Sequence, residues 1–93
     1  ELVPEDLLNA LKSLADPTRL RILRYLQDGP ATTNDLAKFL RLRPPTMNHH
    51  LHILRLAGLV QVTISPSAER QYTIRKEGLD LTITALREFL PGD

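Results

Sequence analysis

Helix stop and start signals divide this short chain into a series of short helices. Asp16 and Pro17 form a restart, because aspartate caps a helix and proline is tolerated at the first helical position. Asp28, Gly29 and Pro30 form a stop, since glycine adopts the left-handed cap and proline blocks continuation. In a chain of 93 residues, such pieces can build one domain with a single small core.

The first two helices are predicted by apolar residues at helical spacing on either side of the first break. The first helix runs from about Pro4 to Ala15. In the second helix Leu20, Leu23 and Leu26 share one face, with Ile22 beside it. We therefore expect that leucine face to be the buried one.

A third and a fourth helix follow, separated by a tight turn at residues 41–43. Thr32 with Asp35 three residues later resembles a capping box at the start of the third helix. The apolar residues of this helix are Leu36, Phe39 and Leu40. The fourth helix runs from Pro44 to about Ala57 and is closed by Gly58.

Alternating apolar and polar residues predict a β-hairpin over residues 59–75, with a polar turn at 65–69. A last helix extends from Glu77 to Leu90. The predicted fold class is therefore mainly α with a small β-hairpin wing, a winged helix-turn-helix in the order ααααββα. We expect one such domain over residues 1–93, and Glu1 in place of methionine leaves open that it is excised from a longer protein.

Acidic residues are absent from the middle of the sequence. The net charge is only +1, yet residues 36–68 contain no aspartate or glutamate. The basic residues of this stretch are Lys38, Arg41, Arg43 and Arg55. Such a stretch indicates where a polyanion can approach the protein.

The fourth helix has an outer face suited to DNA. With Met47, Leu51 and Leu54 on the buried side, polar and basic residues fall on the opposite side. These side chains suit base edges and phosphates, whereas an ordinary solvated face usually mixes lysine with glutamate. We predict that the DNA-contacting residues are Arg43, Pro44, Pro45, Thr46, Asn48, His49, His52 and Arg55, together with Arg70 of the hairpin.

Two separated segments resemble the ArsR family of bacterial transcriptional repressors. Residues 14–23, LADPTRLRIL, resemble the opening of that family's second helix. Residues 42–60, LRPPTMNHHLHILRLAGLV, resemble its recognition helix and the exit from it. The resemblance implies a homodimer that binds a double-stranded DNA operator and represses transcription until an effector arrives. The identity of the effector is unknown from the sequence.

The sequence departs from the family at the family's metal sites. Residues 33–36 replace the thiolate site on the third helix, and the last helix offers only Asp80 and Glu88, without histidine. His49 and His52 share the exposed face, but two ligands without a third bind a metal weakly. We expect no metal site and no cofactor, and His50 is predicted to lie at the edge of the core.

The terminal helices carry more apolar surface than so small a core needs. The ArsR family dimerises through its terminal helices, and palindromic operators mirror a twofold protein, so the resemblance implies that this surface forms a dimer interface. The predicted interface residues are Leu7, Leu11, Leu79, Ile83, Leu86 and Leu90.

Other function classes find little support in the sequence. There is no cysteine, all three histidines belong to one helix, and no glycine-rich phosphate loop is present, so we do not expect an enzyme. No segment resembles a membrane span or a signal peptide, and we expect a cytoplasmic protein without a membrane partner. The alternative that stays open is a winged helix used for protein docking or dimerisation in a larger regulator.

Overall fold

A computed structural model describes residues 2–92, and within this range the chain forms five helices and one antiparallel two-stranded sheet. This order confirms the predicted ααααββα arrangement. The elements are α1 (Glu5–Leu14), α2 (Pro17–Leu26), α3 (Thr33–Leu40), α4 (Pro44–Leu56), β1 (Val60–Ile64), β2 (Arg70–Ile74) and α5 (Lys76–Phe89). Among the described residues, no helix is both long and apolar enough to cross a membrane.

Local capping explains where α2 and α3 begin. Asp16 accepts a hydrogen bond from the backbone N–H of Arg19 at 3.1 Å, and this bond holds the pKa of the Asp16 carboxyl below its ordinary value. Thr32 and Asp35 form the predicted capping box, each side chain accepting from the backbone N–H of the other at 3.1 Å. Both predicted helix starts are confirmed.

The core lies where α2, α3, α4 and β1 meet. Fully buried side chains from three helices form its centre, and the predicted buried side of α4 is confirmed. The side chains with 0 % exposure are Ile22, Leu36, Met47, Leu51 and Leu54.

Two of the predicted apolar faces each include one residue that the structure leaves exposed, Leu20 on α2 and Phe39 on α3. On α2 the buried residues are Ile22 and Leu26, whereas Leu20 is 51 % exposed. Both sets have helical spacing, so packing against the other helices selects the face. Phe39 is also exposed, and its ring lies 4.7 Å from that of Tyr25 on the outer side of α3.

The hairpin is attached to the loop before α3. Val60 pairs with Ile74 and Val62 with Tyr72 in the antiparallel register. Tyr72 also exchanges two backbone hydrogen bonds with Ala31, of 2.7 and 3.1 Å. This bridge fixes the hairpin beside the helix-turn-helix.

The end of α4 and the start of α5 are in close backbone contact. Gly58 follows α4 with φ +76°, a left-handed conformation that glycine adopts without strain. A Cβ on Gly78 would lie 1.8 Å from the carbonyl oxygen of Gly58. Glycine at position 78 is therefore what allows α5 to pack against the exit of α4.

Candidate nucleic-acid interface

The turn between α3 and α4 sets the angle of α4. Arg41 ends α3 in the left-handed conformation, with φ +56° and ψ +45°, and the backbone N–H of Leu42 donates to the carbonyl oxygen of Ala37 at 2.9 Å. The chain then enters α4 after only three residues. A tight turn of this kind between two packed helices is the helix-turn-helix geometry.

All nine residues predicted to contact DNA are exposed. Eight of them lie on α4 or at its N-cap, and Arg70 begins the second strand of the hairpin. No aspartate or glutamate occurs on α4 or in the turn before it. The outer face of α4 is therefore polar or basic, apart from its two prolines and Leu56, which is 76 % exposed.

The start of α4 lacks two of the backbone N–H groups that a helix normally offers as hydrogen-bond donors. Pro44 and Pro45 occupy its first two positions and have no backbone N–H, and Arg43 makes no side-chain cap hydrogen bond. This helix end offers fewer amide donors to an anion than usual. The cationic side chains that surround it, Lys38, Arg41 and Arg43, are all exposed.

Thr33 belongs to the candidate interface, although the sequence pattern does not indicate it. Its hydroxyl donates to Oδ1 of Asn48 at 3.0 Å, which joins the first position of α3 to the exposed face of α4. The two residues are 15 positions apart, and no local pattern links them. Arg41 lies in the turn at residues 41–43, as predicted, but the sequence pattern does not mark it as a DNA contact.

His50 lies at the edge of the core, as predicted, and contacts Arg19. The distance between Arg19 Nη1 and His50 Nδ1 is 3.2 Å. Because a guanidinium group only donates, Nδ1 must accept, and the imidazole is neutral in this contact. Burial lowers the pKa of His50, and the charges of Arg19 and His49 lower it further against the opposing effect of Asp16.

Arg19 is itself held in place. Its Nε donates to the carbonyl oxygen of Ser13 at 2.6 Å, and its Nη1 lies 3.9 Å from Oδ2 of Asp16. One side chain thus connects the end of α1, the start of α2 and the inner side of α4. Among residues 2–92, no three histidine, cysteine, aspartate or glutamate side chains are grouped so that they could hold a metal ion.

The predicted dimer residues divide into buried and exposed members. Leu7 is only 3 % exposed, so it packs inside the monomer and offers no surface to a partner, contrary to prediction. Leu11, Leu79 and Leu86 are half-buried, whereas Ile83 and Leu90 are exposed. The structure adds three exposed leucines that were not among the predicted interface residues: Leu8, Leu20 and Leu81.

Comparison with known proteins identifies the family. The family described as "Helix-turn-helix domain" matches residues 14–63. The chain is 38% identical over 52 residues to the transcriptional repressor SdpR of Bacillus subtilis, covering 56% of this chain and 58% of that protein. It is 34% identical over 76 residues to an arsenical resistance operon repressor of Staphylococcus xylosus, covering 82% of this chain and 72% of that protein.

A solved structure gives the same result at the level of the fold. An ArsR family transcriptional regulator superimposes with a TM-score of 0.78 at 32% sequence identity, over 94% of each chain. The matched segment spans about half the length of several curated relatives, between 43% and 58%. The domain match, the relatives and the shared fold together show that the chain belongs to the ArsR-type family of winged helix-turn-helix transcriptional regulators.

Proposed function

We propose that this chain binds double-stranded DNA sequence-specifically as a homodimeric transcriptional repressor, with α4 in the major groove and hairpin 59–75 as the wing. One observation carries the proposal: the exposed face of α4 has hydrogen-bonding and basic side chains and no carboxylate. A major groove admits one helix, and such a face meets both base edges and phosphates. Repression is supported by the names of two relatives, which are repressors.

Position on the fold divides the candidate contacts into two groups. Asn48, His49 and His52 lie on the outer face of α4, where side chains reach base edges. Arg41 and Arg43 flank the start of α4, where the backbone of the duplex would pass. We assign base discrimination to the first group and general affinity to the second.

In the wing, Arg70 is the side chain best placed to meet a phosphate. Ser65 and Ser67 hydrogen-bond each other at 3.0 Å, and Ser65 also accepts from the backbone N–H of Glu69 at 3.1 Å. These hydroxyls stabilise the turn, whereas Arg70 is exposed at its base. Its positive charge would contact the backbone beside the groove that α4 occupies.

The terminal helices are the proposed dimer interface. Leu8 of α1 and Leu81 and Ile83 of α5 are 40 to 57 % exposed, and α1 packs on α5. Exposed apolar side chains on two adjoining helices are typical of an interface. A twofold arrangement would present two copies of α4 to a palindromic operator.

A salt series tests the proposal. The wild-type protein first selects duplexes from a random-sequence DNA pool, and binding to a selected duplex is then measured at increasing salt. Affinity should fall with a log–log slope of about −0.9 for each phosphate neutralised. A protein-docking module dominated by leucines would select no sequence and would respond little to salt, and that result would refute DNA binding.

Single substitutions separate the two groups of contacts. Asn48→Ala or His49→Ala should cost roughly 1–3 kcal/mol on the selected duplex and relax preference at one base pair. Arg70→Ala should weaken binding to all sequences about equally. Asn9→Ala, an exposed asparagine on α1, is the matched control and should bind as the wild type. Unchanged affinity in both α4 variants would show that α4 does not enter the groove.

A further inference from the structure

We propose that Thr33 is a positioning residue that sets the base preference of Asn48. It holds the amide with the oxygen turned toward α3 and the two N–H donors free to face DNA. Asn48 would then recognise a hydrogen-bond acceptor on a base edge. This inference rests on the proposed placement of α4 in the major groove.

The contact has a defined direction. It joins Thr33 Oγ1 to Asn48 Oδ1 over 3.0 Å. The hydroxyl carries the only hydrogen between these two oxygens, so Thr33 donates and the amide oxygen accepts. The amide nitrogen of Asn48 then points away from α3, and its donors have no protein partner in the hydrogen bonds formed by residues 2–92.

Both partners are anchored by their own elements. Thr33 is the first residue of α3, directly after the reciprocal capping box of Thr32 and Asp35. Asn48 follows Met47, whose side chain is fully buried and fixes the rotation of α4. A lone exposed asparagine would populate several rotamers, and ordering it on binding would cost free energy. The bond from Thr33 orders it beforehand.

The orientation determines which base atoms suit Asn48. Asparagine commonly pairs with adenine by donating to N7 and accepting from the N6 amine. Oδ1 has two lone pairs and Thr33 uses one, so the fixed amide can still accept from adenine N6 while it donates to N7. The two N–H donors alone suit guanine N7 and O6. We therefore expect the position that Asn48 recognises to prefer a purine on the contacted strand.

The experiment compares Thr33→Val with Thr33→Ser. Valine matches threonine in shape but lacks the hydroxyl, whereas serine retains the donor. Affinity is measured for a duplex selected by the wild type and for all its single-base variants, together with thermal unfolding of each protein. Asn48→Ala identifies the base pair concerned. Thr33→Val should reduce the preference at that same base pair by roughly threefold or more, and Thr33→Ser should keep it.

Two further arms make the result decisive. In the Asn48→Ala background, Thr33→Val should have no additional effect on base preference, because its action passes through the amide. If guanine is preferred, replacing it with 7-deazaguanine should reduce wild-type binding more than Asn48→Ala binding. Unchanged preference in Thr33→Val, an equal loss for all sequences, additive effects in the double variant, or a preference for a pyrimidine on the contacted strand would each overturn the inference.

Failure of the inference is distinguishable from failure of the proposed function. A wild-type protein that selects no duplex contradicts the proposed function itself. A wild type that selects one, with a base preference that Asn48→Ala removes and Thr33→Val leaves intact, contradicts only the role of Thr33.

Discussion

Arg19 joins three helices through one guanidinium group. It contacts the carbonyl oxygen of Ser13 at the end of α1, the carboxylate of Asp16 before α2, and the ring of His50 on α4. The contact with His50 requires a neutral ring, because Nδ1 accepts. The contact through which Arg19 holds α4, the proposed recognition helix, therefore requires His50 to be neutral.

Stability should decrease in mild acid because of His50. Burial lowers the pKa of His50 from 6.5 in the folded protein, so below pH 6.5 the unfolded chain binds the proton more readily. The free energy of unfolding then falls as the pH drops through 6.5 toward the lowered pKa. His50→Gln keeps an acceptor for Arg19 and does not titrate, so it should flatten this part of the profile. Urea unfolding between about pH 7.5 and 5.5 measures it.

His52→Gln on the exposed face of α4 is the matched control, and its stability profile should follow that of the wild type. If His50→Gln retained the full loss of stability in acid, the neutral contact with Arg19 would not be its source.

Gly78 is required by the close contact with Gly58. A Cβ at position 78 would lie 1.8 Å from one backbone oxygen, and neither backbone can yield without moving α4 or α5. Gly78→Ala should lower the free energy of unfolding by roughly 1–3 kcal/mol, as overpacking does. Gly92→Ala, where nothing lies within 4 Å, should leave it unchanged. Equal stability of the two variants in urea would show that the helices do not meet in this way.

The turn between α3 and α4 needs a residue with a left-handed backbone, and in the proposed function it also lies beside DNA. Its left-handed position is filled by Arg41, with φ +56°, where glycine is the usual residue. An arginine here is less favourable for the backbone, but it adds a cation beside the start of α4. The proposed phosphate contact therefore accounts for an arginine at position 41 better than the backbone conformation of the turn does.

Arg41→Gly should therefore move stability and DNA affinity in opposite directions. The free energy of unfolding should rise by up to about 1 kcal/mol as the Cβ penalty disappears. Affinity for all DNA sequences should fall, with a salt slope smaller by about 0.9. Thermal unfolding and a salt titration provide the two measurements. Arg41→Lys keeps the charge and should match the wild type in salt slope. A smaller slope for Arg41→Lys would show that the charge at position 41 does not cause the loss of DNA affinity in Arg41→Gly.

Two elements show the limit of sequence patterns. The leucine spacing of α2 predicts a face with Leu20, yet Ile22 and Leu26 are the buried pair. Apolar side chains lie on more than one side of α2, with arginines between them, and only the neighbouring elements decide which of them are covered. On α4 one apolar stripe stands against polar residues, and the prediction from spacing is confirmed.

For the whole molecule, exposed apolar side chains are concentrated toward the terminal helices. Leu20 on α2 lines an open groove of about 400 Å³ with Leu14, Leu23 and Leu79. A groove of leucines to which α1 and α5 both contribute supports the proposed homodimer.

Ile83→Arg should convert the proposed dimer to a monomer. Its side chain is 53 % exposed on α5, so the substitution adds a charge to the proposed interface without disturbing the core. Sedimentation velocity measures the oligomeric state. Ile64→Arg, at a position 62 % exposed on the hairpin, is the matched control and should remain dimeric. If Ile83→Arg also sedimented as a dimer, the interface would lie elsewhere.

The sequence by itself determined the order of the elements, the capping of α2 and α3, and the exposed face of α4. These features depend on residues three or four positions apart, as in Thr32 with Asp35, or on the stripe formed by Met47, Leu51 and Leu54. Interactions over such short spans are present in the local sequence.

Only the tertiary structure decided which face α2 buries and that Leu7 belongs to the monomer core. It also decided two hydrogen bonds between distant residues, Thr33 with Asn48 and Arg19 with His50. The last two pairs are separated by 15 and 31 positions. Their side chains meet because helices pack at particular angles, and the packing depends on the shape of all the facing surfaces together. No periodicity or cap in one segment contains that information.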